Sequence, residues 1–533
     1  MRAGLIIFFS VALLTAPAAR ADQDVVPSVK LGSVAFANSC APEAQESFQR
    51  GVAYLHSFTY ALGEKAFREA LDRDPSCAIA TWGIASLLIN NPFGVGPPPE
   101  DARRAQEAID HGRAIGGKTQ REHDYIEAIA AYYDHFAERL QRERIRSLSD
   151  AYETLAARYP NDDETLIFDA LFLTASQSPA DKTYGRALKA AAILEPQFAK
   201  HPDHPGVAHY LIHTYDFPPL AQKGLPAALC YADIAPDAAH ALHMPSHIFT
   251  RVGEWERSID TNRRSIAASS SRNPGELLHD LDYTVYAQLQ LARDSDAAAV
   301  VKQTLDIANG PSGPASPAVI AALYATAAIP ARYAVERDQW ATAAALPDPA
   351  DSKFPYTEAM TLFARGVGAA RSGKPETAEK DVVRLTTIVA ALKAAKNDYW
   401  ATEVEVQRLD VAAWIVFAQG KRDEALGLMR ASADMEDASE KAAVSPGRIL
   451  PARELLGAML LESGRPTEAL AAYEASLAND PKRLRSFEGA AQAALASGDV
   501  DKARGYYRRM VEMADANSSR PELVKARAYL ASK

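Results

Sequence analysis

Between His201 and Glu256 the chain carries seven of its 12 histidines. Five stand at helical spacing, His209 and His213 in GVAHYLIHTYD and His240, His243 and His247 in DAAHALHMPSHIFTR. On a helix His209, His213 and Asp216 fall at i, i+4 and i+7 and share one stripe, while Val207, Leu211, Ile212 and Tyr215 take the other side. His240, His243 and His247 fall at i, i+3 and i+7. Neutral imidazole suits zinc, copper, nickel or iron, and two histidines one turn apart can chelate. Packed helices lie about 8–10 Å apart, so imidazoles from two segments can reach one ion. The spacing predicts that His209, His213, His243 and His247 bind one divalent transition ion, zinc or copper. His240 and Asp216 would then be outer ligands or orienting groups, and Met244 would matter only for copper(I).

The same residues fit two other uses. One is a metal-free site in which His240, Asp216, Arg251 and His279 contact an organic ligand or peptide. The other is structural packing. A zinc peptidase of the HExxH kind is not expected, because Tyr210 follows His209 and Met244 follows His243. Asp216, Glu254, Asp280 and Asp282 are candidate orienting or base groups, and spacing does not choose among them. Pro245 either kinks its helix or begins a new one; in the second case His243 and His247 need not share a face. Arg251, Arg257, Arg263 and Arg264 form a cationic run whose plainer reading is a solvated face. No P-loop, dinucleotide-binding glycine motif or G-x-S-x-G elbow occurs.

The elements that must position these residues are repeated helix pairs. AQESFQRGVAYLHSF and GEKAFREALDRDP are two amphipathic runs around a break at 59–61, a unit of about 34 residues. The clearest copies are LPARELLGAMLLESGRPTEALAAYEASLANDP and SFEGAAQAALASGDVDKARGYYRRM. Gly464 and Gly498 stand 34 apart, as do Ala469 and Ala503, and Pro202 and Pro236 set the same period across the histidines. These units resemble the tetratricopeptide repeat, with Leu456-Gly457, Leu460, Ala469, Tyr473 and Pro481 at its pattern positions. In the first unit Gly51 marks the close approach, Phe67 and Ala70 the inner face and Pro75 the stop. The resemblance implies an all-α superhelical solenoid of antiparallel helix pairs that binds a protein or peptide in its concave groove. It also implies that His209, His213, His243 and His247, at the fifth and ninth places counted from Pro202 and Pro236, face that groove. The histidine segments themselves resemble those of exported bacterial members of the family, in which HYLIH and HALHMPSHIFTR recur. The expected function is a binding scaffold, and its alternative is a metal-dependent enzyme centred on the histidines.

Composition frames both. The chain has 533 residues, 48% of them apolar and 24% charged, a globular balance. A net charge of −10 argues against nucleic acid as the main partner. Residues 1–21 read as an export signal, with Arg2, the apolar run LIIFFSVALLTA and an A-R-A cut after Ala21. That places the mature chain in the periplasm or outside the cell, with no stable membrane insertion, since no other stretch is apolar for long enough to span a bilayer. NGPSGPASPA separates a block at 40–308 from one at 318–532, the latter ending in a capping helix. The two blocks continue as one superhelix. Cys40 and Cys77 lie 37 apart, each before a helical run, so they can sit side by side as a disulfide or as two thiols. Cys230, in LPAALCYADIA, reads as a small core residue.

Overall fold

A computed structural model of the chain describes Met1 and residues 29–269, 274–308, 317–349 and 352–532. The export signal beyond Met1 and most of the NGPSGPASPA connector lie outside the described residues. The architecture is all-α, a solenoid of antiparallel helix pairs, with no strand among the described residues.

One packing device recurs at both ends. The Phe67 ring lies over Gly51 and Gly83, where an added Cβ would come within 2.9 and 2.4 Å of it. The Tyr473 ring lies over Gly457 and Gly489, where the distances would be 2.8 and 2.1 Å. In each case an aromatic residue on the second helix of a pair fills the space left by glycines on the first helices of its own and the next pair. A side chain at either glycine would push the pairs apart. The turn glycines Gly464 and Gly498 both have φ in the left-handed region, at 72° and 86°, which explains their fixed 34-residue spacing.

The apolar core runs as one cluster from Leu31 to Phe249 and as another from Ala292 to Ala526, with smaller clusters around Leu281 and Trp255 between them. The Pro274–Gln290 helix packs on the Pro317–Val335 helix, across the connector. The superhelix then turns back on itself. Asp515 N–H donates to Leu291 O (2.8 Å), and Trp255 Nε1–H donates to Lys482 O (3.1 Å). Arg483, fully buried, binds Glu336, Glu454 and the Tyr286 hydroxyl. Gly253, at φ 69°, makes this return possible, since a Cβ there would lie 2.8 Å from Pro481 O.

Cys40 and Cys77 are joined in a disulfide across the first two pairs. Cys230 is free but only half-buried, so it is less of a core residue than its apolar run suggests. Asp237 precedes the Ala239–His243 helix without capping it. Its carboxylate accepts from Lys30 N–H (2.6 Å), and Ala238 occupies the cap position. The N-terminal strap takes that carboxylate.

Candidate metal centre

Three helical segments bring the histidines together. The Pro205–Tyr215 helix carries His209 and His213 one turn apart and is buried along its whole length. The Ala239–His243 helix leads through Met244, itself right-handed helical at φ −53° and ψ −35°, into the Pro245–Val252 helix. Pro245 therefore begins a helix. The path still continues, because Met244 N–H donates to His240 O and His247 N–H to Met244 O. His243 and His247 keep a common face, with their Nε2 atoms 3.2 Å apart. The Pro274–Gln290 helix adds His279 and Asp280 from a third side.

The six side chains sort into two sets of three. His209, His213 and His240 present ligand atoms within 4.8 Å of one another, and so do His243, His247 and His279. The sets adjoin, with ring centroids of His213 and His247 5.9 Å apart and those of His240 and His243 6.2 Å apart. The expected quartet of His209, His213, His243 and His247 is thus divided between two sets. His240 and His279, expected as outer or ligand contacts, stand among the inner nitrogens. Two repeat registers alone could not show this, because the third helix supplies the missing imidazole.

An open groove is not what surrounds these rings. His209 is 0% exposed, His213 6%, His243 2% and His247 3%. His240 and His279 are half-buried. Phe58, at a left-handed φ of 51°, sets its ring 4.5 Å from that of His209 and stacks on His240 at 5.4 Å. Phe93 stacks on His213 at 4.0 Å, and Tyr231 on His209 at 5.3 Å. On the far side Tyr283 lies against both His243 and His247, and its hydroxyl donates to Ala443 O and Ser445 O. The segment leading into the Ala452–Glu462 helix thereby closes over the site.

Hydrogen bonds fix the tautomers. His209 Nδ1–H donates to His56 O at 2.6 Å. His243 Nδ1 lies 2.7 Å from both Asn262 Oδ1 and Asp280 Oδ1. Asn262 Oδ1 is the acceptor, since Nδ2 donates to Ser258 O. His247 Nδ1–H donates to Asp216 Oδ2 at 3.0 Å. These contacts put the protons of His209, His243 and His247 on Nδ1 and leave the lone pairs on Nε2. The Nε2 atoms of His209, His213 and His240 are all buried without a partner. A carboxylate or carbonyl behind the ring, as at His209, His243 and His247, is the usual support of a metal-ligating histidine.

The electrostatics favour neutral rings. Burial, reinforced by the neighbouring histidines, holds His209, His213, His240 and His279 well below the ordinary histidine range. Burial pulls His247 down to about 4 despite Asp216. Asp216 itself is buried, which alone would raise it, but Lys441, Arg251 and His247 hold it well below the usual carboxylate range. Lys441 is pushed down to about 8 by burial.

The spare acidic and basic candidates now separate. Asp216 and Asp280 back imidazoles, Asp282 binds Arg332 and Glu254 binds Lys482. Arg251 does not reach the imidazole nitrogens as a free cation. Its Nε–H donates to Asp216 Oδ1 (2.8 Å) and Nη2–H to Asp216 O (2.9 Å). Arg263 and Arg264 pair with Asp260 and Asp233 at the surface, so the cationic run is dispersed.

A third group, His56, Glu164 and His204, also brings ligand atoms within 4.8 Å of one another but is chemically different. His56 bonds Tyr210 OH and Glu164 Oε2, and His204 bonds Glu164 Oε1 and accepts from Val207 N–H. Every ring nitrogen there has a partner. Gly206 lets the helix settle on His56, since a Cβ would lie 2.3 Å from His56 Nδ1. Sequence reasoning missed this network, and it also missed Phe58, Phe93, Tyr283 and Lys441. Only the histidines of the network carried a signal, and Lys441 lies 225 residues from the Asp216 it touches.

A tetratricopeptide-repeat family model matches residues 455–519. No curated protein matches the chain. Among solved structures the chain is similar to yeast Tom70, at 11% identity, covering 91% of this chain and 95% of that one with a TM-score of 0.28. It is also similar to the human IFIT1 dimer with m7Gppp-AAAA, at 12% identity, 82% and 90% coverage and a TM-score of 0.35. At such scores neither likeness bears on what this chain binds. The family match and the repeated helix pairs support the tetratricopeptide-repeat family.

Proposed function

We propose that the chain is a tetratricopeptide-type scaffold that binds a protein or peptide partner and carries a transition-metal centre among its middle helices. The observation that carries the metal is the set of three bare nitrogens. His209, His213 and His240 each bury an Nε2 atom that has no hydrogen-bond partner, and the three rings offer ligand nitrogens within 4.8 Å of one another. A buried polar atom without a partner costs about 1–3 kcal/mol. The neighbouring His56, Glu164 and His204 show that this fold can satisfy buried imidazoles. Three that go unsatisfied at one point fit a zinc or copper ion, whose bonds would replace the missing partners. Protein or peptide binding draws its support from the repeat match at 455–519. Export to the periplasm or beyond is part of the same proposal, and the Cys40–Cys77 disulfide fits an oxidising compartment.

The donor count favours a second reading, a metal-dependent enzyme. Structural zinc sites close with four ligands, whereas catalytic ones keep three and leave a position open. Azide added to the copper form separates the two. A new charge-transfer band indicates an accessible open position, and an unchanged spectrum indicates a closed, structural ion.

Elemental analysis of protein purified without a His-tag from its own compartment tests the metal itself. At least one zinc or copper per chain is expected, and His213→Leu should lose it. Substoichiometric metal, or equal metal in parent and variant, would remove the site.

A further inference from the structure

We propose that His243, His247 and His279 hold a second transition-metal ion beside the first, making a binuclear centre of six imidazoles. The second site rests on the metal-binding reading of His209, His213 and His240. What carries it is the meeting of His243 and His247, whose Nε2 atoms lie 3.2 Å apart. A hydrogen bond across that gap needs a proton on one of them. A neutral imidazole has one proton, and oxygen acceptors already claim it at Nδ1 on both rings, Asn262 and Asp280 for His243 and Asp216 for His247. With both rings neutral, two lone pairs face each other, an arrangement that repels unless a cation stands between them. Two nitrogens bound to one tetrahedral ion at about 2.0–2.1 Å lie roughly 3.3 Å apart, so the observed spacing is what shared ligation requires. His279 completes the set from the Pro274–Gln290 helix.

The two sets share an edge through His213 with His247 and His240 with His243. Three ligands leave each ion an open position, and adjoining sets can turn these positions toward each other. Six imidazole ligands bring no negative charge to two divalent ions. Asp216 and Asp280 stand behind the rings, and Asp216 is already matched by Arg251 and Lys441. The centre therefore suits a small bridging anion of the hydroxide class.

The test is a titration of the untagged, metal-free chain with Cu²⁺ alone, read by native mass spectrometry and by electron paramagnetic resonance. The parent should take two ions, with a resonance intensity below its copper content because neighbouring ions couple. His279→Ala and His240→Ala, at the half-buried positions, should each take one ion and regain full intensity, with circular dichroism confirming that they fold. Asp280→Asn, which keeps size and shape, should weaken the second ion about 10–100-fold and leave the first unchanged. One ion in the parent, lost in His213→Leu but indifferent to His279→Ala, would overturn the pair while leaving the first site standing. Two ions at full intensity would overturn the shared centre. No bound ion would overturn both sites.

Discussion

The C-terminal repeats and the histidine-bearing helices are built from the same helix pairs, yet they bury different things. In the repeats Tyr473 fills the hollow over Gly457 and Gly489, and among the described residues no buried side-chain polar atom from 452 to 513 lacks a partner. In the helices from 205 to 252 four histidines are buried, and three imidazole nitrogens of the cluster face nothing. In the repeats apolar volume and fully paired charges such as Arg483 with Glu454 fill the buried face and leave it chemically silent. Where the fold accepts the cost of bare nitrogens, the arrangement points to a ligand that is not part of the chain.

The largest effect should come from breaking the silent half. Tyr473→Ala removes the ring between two glycines and should cost about 3–5 kcal/mol, measured by denaturant unfolding, while leaving metal uptake unchanged. Next is the disulfide. Reduction opens a loop of 37 residues and should cost about 3–4 kcal/mol on the chain-entropy view. Protein unfolded without reductant should show one free thiol, on Cys230, and three would refute the bridge. A sharper contrast lies within the histidines. His204→Leu deprives Glu164 of a buried donor and should cost about 1–3 kcal/mol or more. His213→Leu replaces a bare polar group with an apolar one, so the metal-free protein should stay within about 1 kcal/mol of the parent or gain stability. Equal losses in the two variants would erase the distinction between partnered and bare imidazoles.

The smallest and most graded difference is in pH. The folded chain keeps His209, His213, His240 and His279 neutral, while the unfolded chain protonates them near 6.5. As pH falls below 6.5 the unfolded state binds more protons and metal-free stability falls, with His247 resisting until about 4. The C-terminal half has the opposite sign. Burial raises Asp410 and Glu436 to about 8, so between about pH 4 and 8 the folded state holds protons that the unfolded state has lost. Stability there falls as pH rises, by up to about 1.4 kcal/mol per unit for each group. Asp410→Asn should flatten the slope of unfolding free energy between pH 5 and 8, and an unchanged slope would count against the buried acid.

The scaffold was legible because its signals are local. The 34-residue glycine and alanine spacings, the period-3.6 runs and the Cys40–Cys77 separation each concern neighbouring helices. The site was legible in its residues but not in its grouping. HYLIH and HALHMPSH identify five imidazoles by helical spacing, yet only the Pro274–Gln290 helix shows that His279 is the sixth and that the set divides into threes. Phe58 and Phe93 sit in loops whose residues show no period, and Lys441 arrives only because the superhelix turns back. The burial of His209, His213, His243 and His247 was hidden for the same reason, since long-range closure covers faces that an open repeat array would leave exposed.

The most direct test is isothermal titration of the untagged, metal-free chain with Zn²⁺, alongside His213→Leu. The bare nitrogens of His209, His213 and His240 predict stoichiometric zinc uptake by the parent, with loss of at least one ion in the variant. No stoichiometric uptake by the folded parent, or identical uptake by the two proteins, would contradict a metal centre at these histidines.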